Sequence, residues 1–222
     1  MVRIGNVTLN RSIVAAIGEV NSAKRAKELG ADILELRIDL LEVDARQALQ
    51  DIKKTGLPVI ITNRMKQEGG NWGGSEDDRI GTLNSLLPMA DAVDIELCAK
   101  DRDRVVKKAR DTGKTVIIST HDFHRTPDND AMKCIISDSF AKGADIAKLA
   151  VMPNSLEDVL RLFDVTLHAK GAVCTIAMGE TGRHSRVIAP VYGSVMTYGY
   201  VEGPTAPGQL RVDELKQLLR FL

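Results

Sequence analysis

A single lysine, Lys148, stands in the middle of an apolar segment, Ala144–Pro153, whose composition is typical of a buried strand. Lysine is rarely buried without a partner, because removing an isolated ammonium group from water is costly. A desolvated amine with a lowered pKa is the group that forms a Schiff base with a carbonyl substrate. The segment by itself leaves a second interpretation equally open, in which Lys148 lies at a strand end and extends its amine into solvent.

Other polar side chains recur near the ends of the remaining apolar segments and in the loops that follow them. They are Glu35, Arg37, Asn63, Arg64, Asp94, Glu96, His121, His124, Arg183, His184, Arg186, Thr205 and Gln209. Glu35 and Arg37 are two positions apart and therefore share one face of a strand. Together these residues supply carboxylates, imidazoles and guanidinium groups in addition to the amine. A purely structural role does not require such a collection, so the pattern predicts an active site.

Several of these residues also have a structural explanation. Glu35 and Arg37 could form a same-face ion pair, and Glu96 could be a strand-end carboxylate paired with a neighbouring arginine. Of the two histidines in the segment His121–His124, we interpret His124 as the structural one. The spacing of histidines and acidic residues does not match a metal site, so we expect no metal ion.

The elements that must position these groups alternate regularly along the chain. Short apolar segments, which predict strands, are separated by amphipathic ones, which predict helices, and several of the helical segments end at a glycine. The predicted strands are Ser12–Ile17, Asp32–Ile38, Pro58–Thr62, Ala92–Leu97, Thr115–Thr120, Asp145–Ala150, Ala172–Ala177 and Ser194–Gly199. The predicted helices include Ala23–Leu29, Ala45–Lys54, Asp103–Asp111, Leu156–His168 and Val212–Leu222.

This alternation predicts an α/β fold with parallel strands, because each crossover between consecutive strands contains a helix. We expect a (β/α)8 TIM barrel that forms a single domain over residues 1–222, preceded by an N-terminal β-hairpin at Val2–Leu9. An open doubly wound sheet is the alternative, but the glycine-rich phosphate-binding motif after the first strand is missing. In a barrel, the active site lies at the C-terminal ends of the strands, where the polar residues collect.

Composition excludes several other classes of function. The chain has 30 Lys and Arg against 30 Asp and Glu, so its charge does not favour a nucleic acid or an anionic membrane as partner. Cys98, Cys134 and Cys174 are widely spaced and odd in number, as in a reduced protein of the cytoplasm. No apolar segment approaches the length of roughly 20 residues that a membrane span needs. We therefore expect a cytoplasmic protein with a small-molecule partner.

Six motifs carry a resemblance to a known family and cover nearly the whole chain in order. They are Glu35–Asp39, Val93–Leu97, Ser119–Pro127, Ala144–Pro153, Met178–Val187 and Ala206–Gln209. Together they resemble the type I 3-dehydroquinate dehydratases, which remove water from 3-dehydroquinate in the shikimate pathway. Two departures from the family stand out: Ala15, where many relatives have a serine near the substrate, and Thr205, which replaces a frequent serine.

The resemblance implies a homodimeric barrel that uses no cofactor and no metal. It implies that Lys148 forms an imine with the C3 ketone, that His121 transfers the protons of a syn elimination, and that Glu96 orients His121. Arg186 would bind the substrate carboxylate through two parallel hydrogen bonds. The resemblance assigns the remaining substrate contacts to Glu35, Leu36, Arg37, Arg64, Thr205 and Gln209.

One further segment and two further functions stay open at this point. The Gly- and Pro-containing segment Tyr200–Gln209 is interpreted as a lid over the barrel mouth, with a static connector as the alternative. A class I aldolase would also place a Schiff-base lysine on the sixth strand, but it requires a phosphate site. A non-enzymatic module that binds a sugar acid would keep the arginines without requiring Lys148 and His121.

Overall fold

A curled sheet of parallel strands forms the centre of the computed structural model, which describes residues 1–222. An antiparallel hairpin, β1 (Arg3–Ile4) and β2 (Val7–Thr8), precedes it. The strands of the sheet are β3 (Ser12–Ile17), β4 (Ile33–Arg37), β5 (Val59–Thr62), β6 (Ala92–Glu96), β7 (Thr115–Asp122), β8 (Ile146–Val151), β9 (Val173–Ala177), β10 (Met196–Tyr200) and the short β11 (Leu210–Arg211). Strands β3 to β9 pair in sequence order, β10 pairs with β3, and a parallel bridge from Val173 to Ser194 closes the ring. The predicted (β/α)8 barrel with an N-terminal hairpin is confirmed.

Helices connect the strands and cover the outside of the ring. They are α1 (Ser22–Leu29), α2 (Ala45–Lys53), α3 (Glu76–Leu86), α4 (Arg102–Asp111), α5 (Asn129–Ala141), α6 (Leu156–Leu167), α7 (Gly179–Gly182), α8 (Ser185–Ile188) and α9 (Val212–Leu219). Side chains such as Asp44 and Ser75 cap the helix starts by accepting a backbone N–H, and Gly30 ends α1 with a φ of 98°. None of the helices is long and apolar enough to cross a membrane.

Alternation along the strands divides the apolar residues into two layers. Residues such as Ala15 and Leu36 point outward and pack beneath the helices. Residues such as Val14 and Ile33 point inward and pack with Ile4 of the hairpin inside the barrel. The hairpin reaches the starts of the strands, where the Thr115 hydroxyl donates to the Arg3 carbonyl. Apolar side chains thus fill the N-terminal end of the barrel, and the C-terminal end is left for polar groups.

The predicted strand ends differ from the observed ones by two residues or fewer. Strand β7 continues to Asp122, because its last residues still pair with Ala150 and Val151 of β8. This extension keeps His121 inside regular sheet structure. The last helix ends at Leu219 rather than at Leu222.

Candidate active site

A cavity of about 530 Å³ opens at the C-terminal ends of the barrel strands. Eight of the ten residues predicted for the site line it: Glu35, Arg37, Arg64, His121, Lys148, Arg186, Thr205 and Gln209. Glu68, Phe123, Met178 and Tyr198 also line it, and none of them was assigned a role from the sequence. The two predicted residues that do not line the cavity are Leu36 and Glu96.

Lys148 lies on β8 and is only 5 % exposed, so the interpretation with a solvent-exposed amine is wrong. Its Nζ is 2.9 Å from Asp94 Oδ2 and 3.6 Å from Glu35 Oε1. The face of the Tyr198 ring covers the amine at 4.1 Å from the ring centroid. Two carboxylates and an aromatic face thus surround a buried cation, which is an arrangement that stabilises positive charge at Nζ.

Asp94 connects this amine to the rest of the charged network. Its carboxylate accepts hydrogen bonds from Lys148, from Arg64 Nη2 at 2.7 Å and from the Ser119 hydroxyl at 2.6 Å. Burial alone would raise the pKa of Asp94, but the cations of Arg64 and Lys148 outweigh it and hold that pKa well below its usual value. Asp94 is therefore a permanent anion beside the amine.

His121 presents a neutral imidazole to the same cavity. Burial lowers the pKa of His121 well below its usual value, and the nearby cations of Arg64 and Lys148 lower it further. Its Nδ1 is 2.8 Å from Glu68 Oε2, and its backbone N–H donates to the same oxygen. Because a carboxylate only accepts, we assign the imidazole proton to Nδ1. Nε2 then has a free lone pair and can act as a base.

The carboxylate that contacts His121 is Glu68, not Glu96. Glu96 accepts a hydrogen bond from Arg79 Nη1 at 2.8 Å and from the Met65 backbone N–H, and it lies 3.0 Å from Arg64 Nη1. These partners keep the Glu96 carboxylate away from the cavity and give it the strand-end role that the sequence left open. Glu68 contacts His121 from the single 3-10 turn Lys66–Glu68 that follows β5. The alternation of side chains along the strands does not predict the direction of a side chain in this turn.

Two further expectations about the site are corrected by the alternation of side chains along a strand. Leu36 lies between Glu35 and Arg37, so its side chain points outward and packs beneath the helices, where it cannot reach a substrate. Ala15 points outward in the same way, and the residue of β3 that lines the cavity is Ala16. The small residue at this edge of the site is therefore Ala16.

Asp39 holds the loop that carries Glu68. Its carboxylate accepts two hydrogen bonds from the Arg37 guanidinium, at 2.9 and 2.7 Å, and further ones from the backbone N–H groups of Arg64 and Asn71. Burial would raise the pKa of Asp39, but these donors, Arg37 above all, lower it below its usual value. The same carboxylate thus orients Arg37 in the cavity and fixes both ends of the loop.

Arg186 is a buried cation, 1 % exposed, that forms no ion pair with any carboxylate of the chain. It donates instead to the backbone carbonyls of Gly208, Pro207 and Tyr198, at 2.8, 2.9 and 3.2 Å. Burial lowers the pKa of Arg186 to about 10. A guanidinium has five N–H groups, so one remains on each terminal nitrogen. These two can bind both oxygens of an anionic ligand.

The segment after β10 lies across the cavity mouth and is held by internal hydrogen bonds. Gln209 Oε1 accepts from the backbone N–H groups of Thr205 and Ala206, at 2.6 and 3.2 Å. The contacts of Arg186 with Pro207 and Gly208 attach the same segment to the barrel. Thr205 and Gln209 both line the cavity.

The chain matches the family model described as type I 3-dehydroquinase over residues 16–222. It belongs to the type I 3-dehydroquinase family. The 3-dehydroquinate dehydratase of Methanosarcina barkeri is 51% identical over an alignment of 241 residues that covers both proteins fully. That of Methanococcoides burtonii is 49% identical over 233 residues, again covering both fully. The family predicted from the sequence is thus confirmed, and so is the prediction of an enzyme of the type I 3-dehydroquinate dehydratase class.

Solved structures show the same fold. The 3-dehydroquinate dehydratase of Geobacillus kaustophilus superposes with a TM-score of 0.93 at 25% identity and covers 100% of this chain and 95% of its own. That of Aquifex aeolicus superposes with a TM-score of 0.87 at 33% identity, covering 95% and 98%. The type I 3-dehydroquinate dehydratase of Clostridium difficile, crystallised with covalently modified comenic acid, has a TM-score of 0.92 at 29% identity, covering 99% and 96%.

Proposed function

We propose that this enzyme dehydrates 3-dehydroquinate to 3-dehydroshikimate through a Schiff base at Lys148. The observation that carries this proposal is a buried amine that shares a cavity with a neutral imidazole and a buried guanidinium without a counter-ion. The first group suits a ketone, the second suits proton transfer and the third suits a carboxylate, all of which the substrate and its reaction require. The covalently modified ligand in the Clostridium difficile structure supports a covalent route within the family.

Imine formation begins when Lys148 transfers one ammonium proton to Nε2 of His121 and its free amine adds to the C3 carbonyl carbon of the substrate. His121 returns that proton and Nζ gives up a second one, so the carbonyl oxygen leaves as water and the C=N bond that forms at Nζ carries one positive charge. That charge replaces the charge of the ammonium, so Asp94, Glu35 and the face of Tyr198 stabilise the iminium as they stabilised the ammonium. The site therefore does not need to reorganise when the covalent bond forms.

His121 then performs the elimination. Its Nε2 takes a proton from C2, and the electron pair moves to the iminium nitrogen to give an enamine. The imidazolium returns this proton to the C1 hydroxyl, which leaves as water from the same face. The electron pair of the enamine C=C bond forms the new C1=C2 bond, and the nitrogen electron pair restores the iminium. Glu68 stabilises the imidazolium while it exists, because its carboxylate accepts the Nδ1–H. Hydrolysis of the imine finally releases the product and Lys148.

Arg186 binds the substrate carboxylate in this proposal, with the free N–H of each terminal nitrogen. Glu35, Arg37, Arg64, Thr205 and Gln209 contact the ring hydroxyls, since all of them line the same cavity. The buried guanidinium of Arg186 does not require a phosphate ligand, such as an aldolase substrate would supply, because a carboxylate accepts two parallel hydrogen bonds equally well. The mechanism uses only side chains of this chain.

Replacing Arg186 with lysine is expected to raise the KM for 3-dehydroquinate by roughly 10- to 100-fold, the range for losing a charged hydrogen bond. The ammonium group of lysine has three N–H donors instead of five, so it cannot bind the three backbone carbonyls and the substrate carboxylate at the same time. Steady-state kinetics measures the effect, and Arg183→Lys, an exposed arginine near the same helix, is the matched control. An unchanged KM in Arg186→Lys would contradict the proposal that Arg186 binds the substrate carboxylate.

Borohydride reduction during turnover tests the proposed mechanism. Incubation of the enzyme with 3-dehydroquinate and borohydride is expected to inactivate it and to add the mass of one reduced ligand to the peptide that contains Lys148. A class I aldolase would show this adduct with its own phosphorylated substrate, and a binding module would show none. An adduct on a different lysine, or inactivation without an adduct, would refute the mechanism.

We further propose that the enzyme is a homodimer of the cytoplasm with no nucleic-acid partner. The family resemblance supports the dimer, and the near-zero net charge and the three free cysteines support the remaining points. Sedimentation analysis of the purified enzyme is expected to give twice the mass of one chain.

A further inference from the structure

Cys98 lies just beyond the end of β6 and contacts the carboxylate that orients His121. Its Sγ is 3.1 Å from Glu68 Oε1, whereas His121 occupies the other oxygen, Oε2. The same sulfur lies 3.6 Å from Met65 Sδ. A continuous chain of contacts therefore runs from the Cys98 thiol through both oxygens of Glu68 to Nδ1 of the imidazole.

We propose that Cys98 is a positioning residue whose thiol donates a hydrogen bond to Glu68 and keeps this carboxylate ionised and directed at His121. The inference rests on the proposed function, in which His121 transfers the protons. Glu68 is buried and its Oε1 has no other hydrogen-bond donor, so the thiol is the group that satisfies it. Cys98 itself does not line the cavity and acts on the chemistry only through Glu68.

The thiol can fill this role because it keeps its proton. Burial raises the pKa of Cys98 to about 12, and the hydrogen bond to Glu68 and the charges of Glu68 and Glu96 act in the same direction. At neutral pH, the S–H group is therefore available as a donor. The same shift removes thiolate character, so this cysteine is a poor nucleophile although the residue is exposed.

Glu68 needs such a donor because burial raises the pKa of Glu68 to about 7. The hydrogen bond from Cys98 and the charge of Arg64 oppose this rise, and Glu96 reinforces it. The other charged groups around His121 are Arg37, Arg64, Asp94 and Lys148. Because this pKa is close to neutral pH, the fraction of Glu68 that is ionised falls strongly when the Cys98 hydrogen bond is lost.

The expected direction follows from which form of Glu68 is active. The carboxylate accepts the Nδ1–H and stabilises the imidazolium, so activity is lost as the pH falls and Glu68 takes up a proton. Removing the S–H group raises the pKa of Glu68 further and moves this acid limb to higher pH. For one weak donor to a carboxylate, we expect a move of roughly 0.5 to 1 pH unit, or about a 3- to 10-fold lower kcat/KM on the acid limb.

The experiment compares the pH profiles of kcat/KM for Cys98→Ala, Cys98→Ser and the parent enzyme. Cys98→Ala is expected to show the displaced acid limb and to approach the parent at high pH. Cys98→Ser keeps a donor and is expected to restore the parent profile. Cys134→Ala, which removes another exposed cysteine, on α5, is the matched control and is expected to change nothing.

A double-mutant cycle with Glu68→Gln separates this role from simple packing. The amide of Glu68→Gln cannot titrate, so adding Cys98→Ala to it is expected to displace the profile no further. The proposal is overturned if the Cys98→Ala profile coincides with that of the parent. It is equally overturned if Cys98→Ser is as impaired as Cys98→Ala, or if the displacement persists in the Glu68→Gln background. Failure of the proposed function would be seen elsewhere, as the absence of a trapped adduct on Lys148 in the parent enzyme.

Discussion

Replacing Lys148 with methionine is expected to lower kcat by at least about 10⁴-fold, a loss of the size seen when a covalent nucleophile is removed. Methionine has a similar length but no amine, so no imine can form and the C2 proton of the substrate is no longer acidified. Borohydride is then expected to leave the protein unlabelled. Steady-state kinetics and intact-protein mass spectrometry measure the two effects.

Lys107→Met is the matched control, because the Lys107 side chain is 80% exposed and lies on α4 outside the cavity. It is expected to retain parental activity. A Lys148→Met enzyme whose kcat is within about tenfold of the parent value would contradict the covalent mechanism, because most of the rate would then not depend on an imine.

The free energy of unfolding of Lys148→Met is also expected to be lower by about 3 kcal/mol, because Asp94 and Glu35 lose a buried cation. Denaturant unfolding of the variant measures this second effect.

Replacing His121 with alanine is expected to lower kcat by about 10²- to 10⁴-fold, the usual contribution of general acid–base catalysis. Nε2 of His121 is the free base of the cavity, and no second imidazole lines the cavity. His124→Ala is expected to stay close to the parent, because His124 is exposed and lies outside the cavity. Kinetics at the pH optimum, with each variant saturated by substrate, measures the difference.

The pair of histidine variants also tests the assignment against its alternative. If His124→Ala proves the more damaging change, the proton-transfer role belongs to His124 and the mechanism must be rewritten. Borohydride trapping of His121→Ala provides a second measurement. The imine is expected to form more slowly in this variant but still on Lys148, because the amine and its two carboxylates remain in place.

The arrangement of the barrel was predictable because it depends on local and periodic properties of the chain. Apolar segments such as Ser12–Ile17 and Asp145–Ala150 alternate with helical ones, and parallel strands follow from that alternation. The C-terminal ends of parallel strands meet at one end of a barrel, so residues as distant in sequence as Glu35, His121 and Lys148 could be expected in one cavity. The structure confirms that they are.

The burial of Lys148 could not be decided from its own segment. An ammonium group in an apolar strand is stable only where opposite charges compensate its lost hydration, and those charges are Asp94 and Glu35 on other strands. The contact depends on side chains that are 54 residues apart in the case of Asp94. Such a pairing is a property of the closed barrel and not of the strand.

The partner of His121 shows the same division between sequence and tertiary structure. Glu96 stood at a strand end and was the carboxylate that a strand pattern could offer, but Arg79 and Arg64 hold it. Glu68 ends a single turn of 3-10 helix after β5, Lys66–Glu68, and one turn is too short for the direction of a side chain to be predicted from a sequence pattern. Its position depends on Asp39, which binds both ends of the loop, and on the thiol of Cys98.

The amino-acid sequence alone was therefore sufficient to predict the family and the barrel, because motif order and strand periodicity are properties of the chain itself. It was also sufficient to place Lys148 and His121 at one end of the barrel, where both line the cavity. Only the tertiary structure showed that Ala16 faces the cavity and Leu36 faces the helices, and that Glu68 is the carboxylate that contacts the His121 imidazole. Strand register and loop closure decide these points, and a shift of one residue turns a side chain to the opposite face of the sheet. Side-chain contacts of this kind arise only when the whole ring has closed.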